Sequence, residues 1–137
     1  MTSTRVELAW VSGQRFAITD ASGLSSTLDG DTESGFSPTE ALLSSLGACM
    51  GIDVVIILEK MRVGIKGLEG LSITVEGERV AEPPRYFHRM RLQFRIRGDV
   101  PRDKAERAVK LSFEKYCSVF HTLRNDIDID TVIELVE

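Results

Sequence analysis

The chain has 137 residues, of which 42% are hydrophobic and 28% charged, as expected for one globular domain with its own hydrophobic core. Its net charge of −4 does not favour nucleic acid or an anionic membrane surface as a partner. We expect a cytoplasmic protein, because the first residues lack the features of a signal peptide and the apolar region around residues 48–58 is too short and too polar to span a bilayer.

The N-terminal third is predicted to form a short antiparallel meander. Val6, Leu8 and Trp10 alternate with charged or small residues, which is the period-two pattern of a half-buried strand. Turn sequences at residues 12–13 and 21–23 separate this strand from two further apolar alternations. Three strands joined by tight turns therefore precede a polar, glycine-containing loop.

A long helix is predicted to begin after this loop, at Pro38. Ser37 can cap the backbone and Glu40 completes an S-x-x-E capping box, while proline suits the first helical position. The helix continues to about Met61 and is apolar on nearly every side, which is typical of a helix buried all round. A domain of this size does not cover such a helix by itself, which indicates a dimer.

Cys49 lies in the middle of this helix. Its neighbours Ala48 and Gly51 are small and leave room for a reactant to approach the sulfur. Asp53 follows one turn later, and a carboxylate close to a thiol raises the pKa of that thiol. Asp53, if it lies near Cys49, therefore opposes formation of the thiolate.

Two further strands are predicted around residues 71–76 and 89–97. The second strand carries a row of arginines on one face: Arg89, Arg91, Arg95 and Arg97. Glu76 and Glu78 on the preceding strand are the expected partners of this row. Because no aromatic residues interleave with the arginines for base stacking, we do not expect nucleic-acid binding.

A second helix opens at Pro101 and leads directly to Cys117. Its amphipathic stripe consists of Ala105, Ala108, Val109, Ser112, Phe113 and Tyr116. A final strand is predicted from about Thr131 to Val136. The chain is therefore predicted as a single α+β domain over residues 1–137, with antiparallel sheets around two helices.

The sequence contains no motif for a phosphate, a dinucleotide, a zinc protease or a serine hydrolase. Cys117 and His121 are four residues apart and can share a helix face, but no second Cys/His pair completes a zinc site. His88 falls in a regular strand alternation, where packing or hydrogen bonding accounts for it. We therefore expect neither a metal nor a cofactor.

The two cysteines, Cys49 and Cys117, are the remaining candidates for chemistry. Without an export signal, they are not expected to form a permanent structural disulfide. Cys117 lies where a new turn can begin, and a helix N-terminus stabilises a thiolate. Free cysteine is also commonly buried as a small hydrophobic residue. These patterns leave both interpretations open and favour inert thiols.

Residues 36–55 read F-S-P-T-E-A-L-L-S-S-L-G-A-C-M-G-I-D-V-V, and residues 110–120 read K-L-S-F-E-K-Y-C-S-V-F. Together these segments resemble the OsmC/Ohr family of thiol peroxidases, and particularly its YhfA-like branch. The order of strands and helices agrees with that family over nearly the whole chain. The resemblance implies an OsmC-like fold and an intertwined homodimer, in which the two long central helices bury each other and the active site lies at the interface.

By position, the resemblance makes Cys49 the peroxidatic thiol and Cys117 the resolving thiol that closes a disulfide. Family members activate the thiolate with a glutamate directly after the helix-start proline and an arginine in the N-terminal meander. Here Thr39 takes the glutamate's place, and Glu40 follows one residue later, rotated by about 100°. Glu40 is thus a candidate catalytic residue with capping as its structural alternative, and Arg15 is the nearest candidate arginine.

The resemblance thus predicts thiol-dependent reduction of organic hydroperoxides by a cytoplasmic homodimer that a dithiol reductant regenerates. No nucleic acid, membrane, metal or cofactor is expected to take part. The alternative is a non-peroxidase protein on the same fold that senses redox state or binds a small ligand. A third possibility is a protein whose two thiols are buried and inert.

Overall fold

A computed structural model describes residues 2–63 and 67–136. The elements in chain order are β1 (Val6–Ser12), β2 (Arg15–Asp20), β3 (Ser25–Asp29), α1 (Pro38–Lys60), β4 (Leu68–Arg79), β5 (Phe87–Gly98), α2 (Arg102–Leu111), a π-helical turn (Ser112–Tyr116), α3 (Ser118–Thr122) and β6 (Asp128–Val136). The chain divides into two compact units between Leu42 and Leu43, so α1 begins in the first unit and continues through the second. The α+β class predicted from the sequence is confirmed, whereas the extent of the domain, residues 1–137, stays a prediction.

The first unit contains the predicted meander, an antiparallel sheet in the order β1-β2-β3. Both turns use glycine with positive φ, at Gly13 (+52°) and Gly23 (+94°), where other residues are strained. The prediction of a half-buried first strand is wrong for the single chain. β1 is an edge strand whose side chains are all exposed, with Leu8 at 54% and Trp10 at 66%.

The second unit contains a sheet in the order β4-β5-β6, with α1 against it. Two glycines one turn apart allow this close approach: a Cβ on Gly47 would lie 2.9 Å from Val75 Cγ2, and one on Gly51 would lie 2.8 Å from Ile73 Cδ1. The sheet is not wholly antiparallel as predicted, because β6 pairs with β5 in parallel. The connection through α2 and α3 is the long crossover that such a pair requires.

Helix α1 is buried on one face only, which corrects the prediction of a helix buried all round. Its inner face is fully buried and consists of Leu46, Met50, Val54 and Leu58. On its outer face Ile52 is 59% exposed and Ile56 is 45% exposed, and Ala48 is exposed with them. The single chain therefore leaves an apolar stripe, Ala48, Ile52 and Ile56, open to solvent.

Helix α1 also tests the expectation that the apolar region is too short and too polar to span a bilayer. With 23 residues and a mean hydropathy of 2.2 over 18 of them, α1 is long and apolar enough to cross a membrane by length and composition. The expectation that this region is too short and too polar is therefore wrong for α1 as a whole. The buried inner face belongs to the core around β4 and β5, as in the core helix of a globular protein.

The arginine row of β5 has different partners from those predicted. Glu76 and Glu78 do stand opposite Arg91 and Arg89 in the β4–β5 register. Within the described residues, however, the ion pairs join the row mainly to β6, on the other side: Arg89–Asp128 (3.8 Å), Arg91–Asp130 (3.8 Å) and Arg95–Glu134 (3.9 Å), while Arg97 pairs with Glu69 of β4 (3.7 Å). The row is thus neutralised within its own sheet.

Candidate active site: two neighbouring cysteines

The fold brings together two cysteines that are far apart in the sequence. Cys49 lies on α1 and is partly buried, whereas Cys117 is fully buried between the π-helical turn and α3. Interaction with Cys49 is one of the effects that raise the pKa of the Cys117 thiol, so the two side chains are neighbours, and both thiols are free. A thiol that solvent can reach therefore lies beside one that it cannot.

The π-helical turn determines where Cys117 lies. The turn ends when the Cys117 N–H donates to the Ser112 carbonyl oxygen at 2.8 Å, and the backbone of Cys117 then becomes extended (φ −71°, ψ 102°). Its Sγ accepts a hydrogen bond from the Phe120 N–H at 3.4 Å and so caps α3. This agrees with the prediction that a new turn begins at Cys117. Such π-helical turns occur frequently at functional sites.

The pKa of the Cys117 thiol is raised to about 11, chiefly by burial. The hydrogen bond from the Phe120 N–H opposes this shift, while interaction with Cys49 and the charge of Asp53 add to it. Cys117 is therefore a protonated thiol at neutral pH. The carboxylate of Asp53 raises the pKa of Cys117, the direction expected for a thiol near a negative charge.

Asp53 is joined to the site by Ser112, a residue whose functional part the sequence pattern did not indicate. Ser112 Oγ donates to Asp53 Oδ2 at 2.8 Å, and Ser112 is fully buried. The sequence pattern placed Ser112 only in the amphipathic stripe of the predicted second helix. A hydroxyl at a position of an otherwise apolar stripe is the signal that could have identified it, because a buried hydroxyl needs a partner.

Aromatic rings lie next to Cys117. Phe113 in the π-helical turn stacks on Phe120 with ring centroids 4.4 Å apart, and the rings of Phe120 and His121 lie edge to face with centroids 5.2 Å apart. Cys117 and His121, the pair for which the sequence offers no further zinc ligands, are joined through the backbone, since the His121 N–H donates to the Cys117 carbonyl oxygen. Across residues 2–63 and 67–136 no group of three or more His, Cys, Asp and Glu side chains could hold a metal ion.

Glu40 lies in the first unit, where it completes the predicted capping box. Its Oε1 accepts a hydrogen bond from the Ser37 N–H at 2.9 Å, and its own N–H donates to Ser37 Oγ at 3.2 Å. These two bonds satisfy backbone donors at the start of α1 that the helix itself leaves unpaired.

Arg15 also lies in the first unit, where it is bound to acidic residues of its own sheet and loop. Its guanidinium lies 3.5 Å from Asp29 Oδ2 and 3.2 Å from Glu33 Oε2. Asp29 is fully buried and accepts hydrogen bonds from the backbone N–H groups of Asp31, Glu33 and Ser34. These bonds, that from Asp31 first, lower the pKa of Asp29 despite its burial. Arg15 thus stabilises the loop before α1 through its ion pairs with Asp29 and Glu33.

Known proteins share both the sequence and the fold. The sequence model of the OsmC-like protein family matches residues 30–132. Protein YhfA of Escherichia coli K12 is 37% identical over 134 residues, which cover 96% of this chain and 98% of YhfA. The crystal structure of a hypothetical protein from Aquifex aeolicus VF5 has a TM-score of 0.89 and 32% identity over 99% of this chain and 98% of that one. An organic hydroperoxide resistance protein OsmC from Legionella pneumophila shares the fold, with a TM-score of 0.70 and 19% identity over 98% of each chain.

Proposed function

The chain belongs to the OsmC-like protein family, and from this premise we propose that it reduces organic hydroperoxides with Cys49 and Cys117. The observation that carries the proposal is that these two thiols, one partly exposed and one buried, are neighbours in the fold. A protein of the same fold, that of Legionella pneumophila, is described as an organic hydroperoxide resistance protein.

The proposed reaction has three steps. The Cys49 thiolate attacks one oxygen of the peroxide, the O–O bond breaks, and the alcohol leaves after taking up a proton, so that Cys49 becomes a sulfenic acid. Cys117 then attacks the oxidised sulfur, and its proton leaves with the displaced hydroxide as water, which closes a disulfide. A dithiol reductant finally exchanges with this disulfide and restores both thiols.

The exposure of the two cysteines supports this division of roles. A peroxide can reach Cys49, whereas Cys117 is sealed from solvent and is held as a thiol by a pKa of about 11. A resolving cysteine does not need to react with peroxide directly, because its partner is already in place. The apolar residues around the pair favour an organic hydroperoxide over a strongly hydrated one.

We place Glu40 in this scheme as a positioning residue. Its capping box fixes the start of α1, the helix that carries Cys49. Arg15 keeps the loop before that helix in place through Asp29. Both residues thus support the site through the segment that leads into α1.

A homodimer is part of the proposal. The stripe of Ala48, Ile52 and Ile56 on α1 is exposed in the single chain, as are the apolar side chains of β1. Apolar surfaces of this kind mark interfaces, and the sequence offers a second copy of α1 as their natural complement. A reducing compartment such as the cytoplasm suits the reaction, since dithiol reductants keep thiols reduced there.

One observation favours a second function, that of a redox sensor without turnover. The Glu40 carboxylate caps a helix, and the Arg15 guanidinium is bound to Asp29 and Glu33. If neither group activates Cys49, the pair still forms a reversible disulfide, but too slowly for a peroxidase.

An assay of hydroperoxide consumption separates these functions. We expect the wild-type protein to consume cumene hydroperoxide with a dithiol reductant, and Cys49→Ser to consume none above background. Cys117→Ser is the matched control, because it keeps the first step and loses the disulfide. A wild-type rate no higher than that of Cys49→Ser, with a disulfide that still forms in oxidised glutathione, would instead identify a sensor.

A further inference from the structure

We propose that the hydrogen bond between Ser112 and Asp53 is a positioning link that holds Cys117 against Cys49 for disulfide formation. The inference rests on the proposed function and names residues that act through Cys117, since neither of them touches the peroxide in this scheme.

Two hydrogen bonds connect the cysteine-bearing elements. Asp53 lies one turn after Cys49 on α1, and its Oδ2 accepts from Ser112 Oγ at 2.8 Å. The carbonyl oxygen of the same serine accepts from the Cys117 N–H at 2.8 Å. Ser112 therefore ties the helix that carries Cys49 to the backbone of Cys117 through its side chain at one end and its main chain at the other.

Burial makes this link specific. Ser112 is fully buried, directly after a helix whose inner residues Ala105, Ala108 and Val109 are also buried. A buried hydroxyl without a partner is costly, so the start of the π-helical turn is stable only where Ser112 reaches Asp53. This requirement fixes the position of the π-helical turn relative to α1.

The position of Cys117 relative to Cys49 determines whether a disulfide can form. A disulfide forms only within a narrow range of Cβ separations and dihedral angles. In the resolving step the Cys117 sulfur bonds to the Cys49 sulfur, the S–O bond of the sulfenic acid breaks, and hydroxide leaves with the proton from Cys117 as water. A small displacement of Cys117 therefore slows this step and leaves the sulfenic acid exposed to further oxidation.

Ser112→Ala tests the link directly. After a stoichiometric pulse of cumene hydroperoxide, we expect Cys49 to be oxidised at the wild-type rate and the disulfide to form more slowly, on the order of tenfold. Dimedone should then trap Cys49 sulfenic acid in this variant. Ser118→Ala is the matched control, because Ser118 is exposed and adjacent to Cys117. A wild-type rate of disulfide formation in folded Ser112→Ala overturns the proposal.

Asp53→Asn separates positioning from charge. Asparagine can still accept the hydrogen bond from Ser112, so the disulfide should form, but the charge that raises the pKa of Cys117 is gone. The titratable groups that act on Cys117 are Cys49 and Asp53, both from α1, and the Phe120 N–H of α3 opposes them. We expect the pH profile of disulfide formation to move to lower pH, a change that a merely structural role would not cause. Disulfide formation as slow in Asp53→Asn as in Ser112→Ala contradicts the proposal.

Two further measurements keep the proposal testable. If Ser112→Ala does not fold, Asp53→Ala removes the same hydrogen bond from its half-buried end and should slow disulfide formation similarly.

If the wild-type protein does not react with hydroperoxide, the proposed function fails, but the equilibrium of the cysteine pair with oxidised and reduced glutathione still tests the link between Ser112 and Asp53. Equal equilibrium constants for wild type and Asp53→Ala, or no disulfide in either, overturn it.

Discussion

The guanidinium of Arg15 lies 3.5 Å from the buried carboxylate of Asp29, which organises the loop before α1. Asp29 accepts the N–H groups of Asp31, Glu33 and Ser34 as well as the Ser34 hydroxyl. The Asp29 carboxylate therefore holds the loop together as its shared acceptor, and Arg15 neutralises the charge of that carboxylate.

Asp29→Ala should loosen this loop. We expect the amides of Asp31, Glu33 and Ser34 to lose protection in hydrogen exchange, because their acceptor is gone. Asp31→Ala is the control, since the exposed residue Asp31 contributes its main-chain N–H and not its carboxylate to this network. Unchanged exchange in Asp29→Ala would contradict this role.

The same carboxylate predicts a pH dependence. The pKa of Asp29 is lowered in the folded protein, so its stabilising contribution is present above the ordinary pKa of an aspartate and is lost as the pH falls through the lowered value. The free energy of unfolding of the wild-type protein should therefore fall more steeply in acid than that of Asp29→Asn. Parallel curves for the two proteins from neutral pH into acid would show that Asp29 does not contribute in this way.

The two glycines of α1 should differ in their tolerance of alanine. A Cβ at residue 47 meets Val75 Cγ2 at 2.9 Å, on a stiff side chain, whereas one at residue 51 meets the terminal Cδ1 of Ile73 at 2.8 Å. Overpacking costs about 1–3 kcal/mol, and alanine returns about 1 kcal/mol of helix propensity. Urea unfolding should show a larger loss for Gly47→Ala than for Gly51→Ala.

A double variant tests the cause of that difference. Ile73→Val removes the Cδ1 methyl that a Cβ on residue 51 would meet, so Gly51→Ala combined with Ile73→Val should be more stable than the sum of the single effects. Strict additivity would show that the contact with Ile73 is not the source of the strain.

The capping box allows the two roles of Glu40 to be separated. Ser37→Ala should lower the free energy of unfolding by about 1 kcal/mol, because the Glu40 N–H loses its acceptor. Glu40→Gln keeps an acceptor for the Ser37 N–H and should retain both stability and peroxidase rate. A loss of activity in Glu40→Gln at wild-type stability would assign the carboxylate charge a part in the chemistry.

The proposed dimer predicts a separate phenotype. Ile52→Glu places an unpaired charge in the exposed apolar stripe, which should raise the dimer dissociation constant about a hundredfold or more. Light scattering coupled to gel filtration should find the wild type dimeric and this variant monomeric. Lys60→Glu changes an exposed residue at the end of the same helix and should leave the dimer intact. A monomeric wild type contradicts the proposal.

The start of α1 could be predicted from sequence because its signals are local. Ser37, Pro38 and Glu40 act on neighbouring backbone groups, and the structure contains the capping box they specify. The alternation in β5 is equally local, since each inward residue is followed by an arginine or another exposed residue.

Features that depend on distant partners could not be predicted in the same way. The parallel pairing of β6 with β5 depends on a long crossover connection. Acidic residues of β6, and not Glu76 and Glu78, therefore form ion pairs with the arginine row. The link between Ser112 and Asp53 joins residues on different helical elements. The pattern of the second helix shows a buried serine but does not indicate what the serine contacts.

The proposed function requires that Cys49 and Cys117 act as one redox pair. The most direct measurement is peptide mapping by mass spectrometry of anaerobic, fully reduced protein after a stoichiometric addition of cumene hydroperoxide and rapid alkylation. We expect both thiols to disappear together into a Cys49–Cys117 disulfide, and Cys117→Ser to accumulate sulfenic acid at Cys49. Two free thiols in the wild type, or oxidation of Cys117 in Cys49→Ser at the wild-type rate, would contradict it.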